Sequence, residues 1–264
     1  MSEDILSQQP PPADLRLKYG SDWNQFIDLR FPSQRGKTGS SPLVMNIHGG
    51  FWRAKYGLEH AGHLCAGLTA LGLTTANVEY RRVGNEGGGW PGTFEDIRSA
   101  YQFLVQNAQK HRFNSEKIVV IGHSAGGQLA LCLAAREPAI TSVISLAGVV
   151  DLRRAYQLHL SNDAVVEFLH GTPSEVPDHY READPMQLSL PKTRQRLIHG
   201  SADDVIPPAF SRDYFAAKHE LHGHQKEKED VRLLEIGGAD HYDLIDPRSK
   251  AWKQVQETVR ELTA

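Results

Sequence analysis

The segment Gly122-His123-Ser124-Ala125-Gly126 sets a serine between two glycines, each two positions away. It follows the apolar run Lys117 to Ile121 and leads into a small-residue stretch with helical spacing that begins near Ala125. In a strand-to-helix turn this tight, Ser124 must take a strained backbone conformation, and the glycines let strand and helix approach one another. The hydroxyl then stands at a helix N-terminus. There the helix dipole and the amide of Ala125 favour negative charge, as a tetrahedral oxyanion requires. The chemistry on offer is attack of a serine oxygen on a carbonyl carbon.

A serine hydroxyl is a poor nucleophile at neutral pH, so it needs a histidine base and a carboxylate that fixes the tautomer of that base. Both follow later in the chain. The run Arg196 to His199 leads into Gly200-Ser201-Ala202-Asp203-Asp204-Val205-Ile206-Pro207, a turn at the C-terminal end of a strand, where α/β enzymes place their sites. Asp203 lies nearer the strand end and fits an H-G-x-x-D turn, so it is the expected acid; Asp204 is expected to cap the next helix or face water. After the last apolar run comes Gly237-Gly238-Ala239-Asp240-His241-Tyr242, and His241 in this glycine-rich loop is the expected base. The order Ser124, Asp203, His241 is the one that goes with a G-x-S-x-G turn. Among the other histidines, His123 is expected to pack under the turn. His219, His222 and His224 have a spacing that suits a metal but sit in a polar link, so no metal is expected.

The second half of an oxyanion hole should follow an early strand, and Leu43 to Ile47 is followed by His48-Gly49-Gly50-Phe51-Trp52. The amides of Gly50 and Phe51, with that of Ala125, are the expected donors. Phe51, Trp52 and Trp90 are expected to line an acyl or aryl pocket. Glu79-Tyr80-Arg81-Arg82 is expected to form buried ion pairs bracing this loop, and Gly84 to Trp90 to be a mobile loop at the rim. No Lys follows Gly87-Gly88-Gly89, and no G-x-G-x-x-G opens a helix after the first strand, so no cofactor is expected.

These residues need a frame. Short runs rich in Val, Ile and Leu alternate with amphipathic segments, the pattern of parallel strands joined by crossover helices. Strands are expected at Phe26 to Arg30, Leu43 to Ile47, Thr74 to Tyr80, Lys117 to Ile121, Ser142 to Leu146, Arg196 to His199 and Val231 to Ile236. Helices are expected at Leu58 to Leu71, Phe94 to His111, Ala125 to Arg136, Ala209 to His219 and Arg248 to Leu262. The fold class is therefore α/β, a mostly parallel central sheet flanked by helices. Residues 151–193 have no clear strand and are expected to form a short helical lid insertion. Residues 1–15, with Pro10-Pro11-Pro12, read as a flexible lead-in to one domain spanning 16–264.

Composition bounds the partners. The 264 residues carry 29 Lys and Arg against 32 Asp and Glu, a net charge of -3, so no basic surplus exists for nucleic acid or anionic lipid. With 40% hydrophobic and 23% charged residues the chain has ordinary globular composition. Its apolar runs fall far short of the roughly 20 residues a membrane span needs. The N-terminus lacks the cationic start and apolar core of a signal peptide, and Cys65 and Cys132 read as buried free thiols, so a cytoplasmic location is the expectation. A small-molecule substrate and a monomer or homodimer are expected.

From about Tyr19 to its C-terminus the chain resembles the α/β-hydrolase superfamily. Within it, His48-Gly49-Gly50-Phe51-Trp52 resembles the HGGxW motif of kynurenine formamidases and of esterases near the hormone-sensitive-lipase group. The resemblance implies Ser124 as nucleophile, Asp203 as acid, His241 as base, and cofactor-free hydrolysis of a small ester or aryl formamide. Phe51-Trp52 stands where the lipase group has a third glycine, which favours the formamidase-like branch. That branch also holds general carboxylesterases. Two other readings are an inert ligand-binding protein of the same fold and a peptidase; the complete Ser/Asp/His set argues against the first, and the lack of an upstream propeller against the second.

Overall fold

All five residues of Thr74–Val78 and all five of Ser142–Leu146 are buried, the mark of strands covered on both faces. Such strands form the centre of an eight-stranded sheet in the computed structural model, which describes residues 4–33, 41–220 and 229–264. The strands are β1 (Leu15–Lys18), β2 (Phe26–Arg30), β3 (Ser41–Ile47), β4 (Thr74–Val78), β5 (Phe113–His123), β6 (Ser142–Leu146), β7 (Arg194–Gly200) and β8 (Asp230–Ile236). Their order across the sheet is β1-β2-β4-β3-β5-β6-β7-β8. The β1–β2 and β2–β4 pairs at one edge are antiparallel and the other five pairs are parallel.

From β3 the chain moves to one side to make β4, then to the other to make β5 and everything after it. The loops leaving β3 and β5 therefore part at a topological switch point, where a crevice opens in α/β sheets. Ile47 pairs with Gly122, and His123 with Leu146, so these strands end level with one another.

The helices are α1 (Asp4–Ser7), α2 (Gly62–Ala70), α3 (Gly92–His111), α4 (Ala125–Arg136), α5 (Leu152–Gln157), α6 (Ala164–Leu169), α7 (Pro177–Ala183), α8 (Ala209–Glu220) and α9 (Trp252–Thr263). Two apolar clusters, one on each face of the sheet, are filled by their buried sides. No helix of the described residues is long and apolar enough to cross a membrane.

Several expectations shift. β1 has a half-polar sequence, Leu-Arg-Leu-Lys, that shows no apolar run; it is an edge strand held by pairing with β2. The segment expected as one helix from Leu58 begins as a 3-10 turn over Leu58–Ala61. The last helix starts at Trp252, because the side chain of Asp246 accepts the amide of Arg248 and makes a turn there. The lead-in lies against the sheet: Ile5 is buried, Arg30 donates to the carbonyl of Pro11, and the amide of Asp14 donates to Leu29.

Residues 151–193 are helical, comprising α5, α6, α7 and a 3-10 turn at Pro185–Gln187. Phe168, Leu169, Tyr180 and Ala183 from this insertion are wholly buried in the larger cluster. Cys65 and Cys132 are buried free thiols, each pushed by burial up to about 12.

Candidate active site

Ser124 has φ 56° and ψ -120°, a backbone conformation that costs of the order of 1–3 kcal/mol and is held by its surroundings. Its amide donates to Leu146 and its carbonyl accepts from Gly127 and Val149, so the turn is pinned to β6 and to the loop beyond it. A Cβ on Gly126 would lie 2.1 Å from the carbonyl oxygen of Ile47. Only glycine lets the first turn of α4 sit this close to the end of β3. Ser124 is the residue before α4, so its side chain shares the helix N-terminus with the amide of Ala125.

The loop leaving β3 is equally strained. Gly50, Phe51 and Trp52 all have positive φ, at 111°, 50° and 57°. A Cβ on Gly49 would come within 3.0 Å of the Cβ of Ser124, so this loop runs directly beside the serine. It is closed by a bond from the amide of Arg53 to Gly50 and by two bonds to Val83. Behind it, His48 bridges the carbonyl of Gly49 through Nδ1 and the carboxylate of Glu79 through Nε2, and stacks on Tyr80, whose hydroxyl donates to the carbonyl of His48. Glu79 also pairs with Arg82 and accepts the amide of Leu58. Burial works against its charge, yet His48 and Arg82 hold the Glu79 carboxyl below its ordinary value. The bracing ion pair expected from Glu79 to Arg82 is thus present, with His48 as its link to the loop.

Trp52 and Trp90 were expected to line a substrate pocket. In the structure they are 1% and 4% exposed and pack in the core. The positive φ of Trp52 sends its ring inward, where Nε1 donates to Gln128 Oε1 of α4 at 3.0 Å and the ring stacks on Phe168 of α6. Trp90 meets Phe168 edge-on, stacks on Phe94, and donates its amide to the carbonyl of Phe168. The same amide bond ties the Gly84 to Trp90 loop to α6.

The loops after β7 and β8 are zipped together by bonds from the amide of Ser201 to Ile236 and from that of Ala202 to Ala239. A Cβ on Gly200 would lie 2.3 Å from the carbonyl of Ala239, so glycine is needed here too. The zip brings Asp203 to His241, with Oδ2 accepting from Nδ1 at 2.8 Å. Oδ1 accepts the amides of Val205 and Ile206. His199 Nε2 lies 3.2 Å from Oδ2 on the other side. Burial favours protonation of Asp203, but the hydrogen bonds from His199, His241 and Ile206 outweigh it and hold the carboxyl well below the usual range. Asp204 is exposed. A carboxylate fixed as acceptor keeps the proton of His241 on Nδ1 and leaves Nε2 as the basic nitrogen.

His123 is wholly buried, with its ring centroid 4.4 Å from that of His241. His199, Gln128 and His60, which sequence reasoning did not single out, join the site from the core side. Of these only His199 carried a local signal, as the first residue of the H-G-x-x-D turn. Among the described residues no group of three or more His, Cys, Asp or Glu could hold a metal ion; His222 and His224 lie outside them.

The Asp203–His241 pair is tied to His123, the residue before Ser124, and the strained loop after β3 runs beside that serine. Known proteins share this frame. The chain is 26% identical over 253 residues to Esterase LipC of Mycobacterium tuberculosis, covering 88% of this chain and 60% of that protein. It is 21% identical to the kynurenine formamidase of Salmo salar, covering 88% of this chain and 76% of the relative. A truncated carbohydrate esterase from gut microbiota superposes with a TM-score of 0.79 at 19% identity, over 97% of this chain and 99% of that one, which establishes the α/β-hydrolase fold. The BD-FAE family model matches residues 27–217, from the first residues of β2 into α8 and so through the serine turn and Asp203, and the chain belongs to the BD-FAE family.

Proposed function

We propose that this protein is a serine hydrolase that cleaves a small carboxylic ester or an aryl formamide through an acyl-enzyme. The observation that carries the proposal is the 2.8 Å bond between Asp203 and Nδ1 of His241, two residues drawn together beside the strained turn of Ser124. Ser124 Oγ attacks the carbonyl carbon while His241 Nε2 takes its proton. Asp203 holds the tautomer and stabilises the imidazolium. The amides of Gly50, Phe51 and Ala125 receive the oxyanion, and His241 then returns the proton to the leaving alcohol or amine. Water, deprotonated by the same nitrogen, attacks the acyl-enzyme and releases the acid and free Ser124. Every group the reaction uses is a side chain or amide of this chain, so the reading takes no cofactor.

LipC is named an esterase and supports the ester reading; the formamidase relative and His48-Gly49-Gly50-Phe51-Trp52 support the formamide. The helical insertion serves as a wall of the site, joined by Phe168 to Trp52. The test compares kcat/KM on N-formylkynurenine and p-nitrophenyl acetate for wild type and Ser124→Ala. A loss of about four to six powers of ten in kcat is expected for the variant, together with loss of fluorophosphonate labelling. Near-normal turnover without Ser124 refutes the mechanism. A strong formamide preference assigns the aryl formamide, and rapid ester cleavage alone assigns the carboxylic ester.

A further inference from the structure

His241 is held at a second point besides Asp203. His123 Nε2 lies 3.0 Å from the main-chain carbonyl oxygen of His241, and His123 Nδ1 lies 2.8 Å from His60 Nε2. A carbonyl only accepts, so His123 carries its proton on Nε2 and donates it. Nδ1 of that neutral ring is then a lone pair, and His60 must in turn carry its proton on Nε2 and donate. Burial keeps both rings neutral, lowering His60 to about 3 and His123 well below its ordinary value. One carbonyl therefore determines two tautomers in series.

The three residues come from three separate elements: the 3-10 turn Leu58–Ala61 beyond β3, the last residue of β5, and the loop beyond β8. The His60 and His123 ring centroids are 5.0 Å apart. His60 Nε2 also sits 3.0 Å from where a Cβ on Gly49 would be, so the relay touches the strained loop beside Ser124. His60 Nδ1 is buried and without a partner among the described residues.

Asp203 sets the rotation of the His241 ring, but the place from which that ring projects belongs to the backbone. We propose that His123, backed by His60, is a positioning pair that registers the backbone of His241 against β5, the strand that delivers Ser124. Base and nucleophile are then spaced by adjacent residues of one strand end. The inference rests on the reading of Ser124 and His241 given under Proposed function.

The test replaces His60 with Leu, which keeps the bulk and removes the donor, and with Gln, whose amide nitrogen can reach the place of Nε2. His60→Leu should lower kcat on p-nitrophenyl acetate by about 10- to 100-fold with KM changed by less than about two-fold. It should also shift or broaden the low-field proton resonance of His241 Nδ1–H, and His60→Gln should restore both. Equal losses in the two variants, in step with Tm, would make His60 a packing residue and overturn the proposal. An unchanged resonance and kcat in His60→Leu would overturn it as well. If that variant does not fold, His60→Asn, polar but too short to reach His123, gives the same readouts with the same two outcomes. Ser124→Ala separates the two readings: turnover surviving there refutes the nucleophile, whereas a normal His241 resonance in His60→Leu refutes the positioning pair.

Discussion

Trp52 and Phe168 stack with ring centroids 4.6 Å apart and planes within 6° of parallel. The first belongs to the strained loop after β3 and the second to α6 of the insertion, so that loop and the insertion are packed as one body. Arg53 adds bonds to Glu167, Ser161 and the carbonyl of Asn162 at the edge of the same contact. The positive φ angles of Phe51 and Trp52 persist because both sides of the loop are anchored.

Phe168→Ala should therefore cost about 3–5 kcal/mol of stability, the usual range for emptying a buried aromatic site. If the contact also holds the loop beside Ser124, kcat should fall while KM changes little. Urea unfolding and steady-state kinetics on one preparation check both; a stability loss with kcat unchanged would show that the loop holds its shape without α6.

Gln128 accepts from Trp52 Nε1 and donates to the carbonyl of Ala183, joining α4 to the loop on one side and to α7 on the other. Gln128→Leu leaves the buried indole N–H of Trp52 unpaired, at about 1–3 kcal/mol, while the Ala183 carbonyl keeps the thiol of Cys132 as a donor. The expected result is a lower urea midpoint with an unchanged slope. A midpoint equal to wild type would mean that the indole finds another partner.

Asp203→Asn keeps an oxygen for the amides of Val205 and Ile206 but turns an N–H₂ toward His241 Nδ1. The imidazole is then forced into the other tautomer, and kcat should drop by about 10⁴-fold, as when a triad carboxylate is replaced by its amide. Stability carries a second signature. The folded pKa is depressed, so the carboxylate contributes stability that is present above its unfolded value near 3.9 and lost as pH falls toward the folded one. The gap in stability between wild type and variant should narrow below about pH 4; a gap independent of pH would count against an ionised Asp203.

Asp184, buried between α7 and the 3-10 turn that follows, behaves in the opposite sense. Burial, with Asp151 nearby, pushes it up to about 7. Between about pH 4 and 7 the folded protein keeps a proton that the unfolded chain gives up, so this group lowers stability as pH rises through that window. Asp184→Asn lacks the titration and should gain on wild type by at most roughly 4 kcal/mol between pH 4 and 8. Parallel stability curves for the two proteins over that range would refute the shift.

Much of the frame was legible because it is written in local pattern. Phe26–Arg30 and Ser142–Leu146 are strands with the boundaries their apolar runs suggest, and Ala125–Arg136 is the helix expected after the serine turn. That Asp203 and His241 each lie just past a strand end, in a turn of their own, was legible for the same reason. β1 was not, since an edge strand owes its form to the neighbour it pairs with and carries no apolar run.

By itself the sequence determined which residues could react and in what order the chain presents them, since a glycine-flanked serine between strand and helix depends on neighbours within a few positions. Only the tertiary structure decided which of two adjacent aspartates pairs with His241, because the choice is made by bonds between the loops after β7 and β8. It likewise turned Trp52 and Trp90 into the core, and set His123 against a carbonyl 118 residues away. Side chains of the same chemistry differ in role through the partner that folding brings to them, and periodicity along the chain holds no record of a partner from another loop.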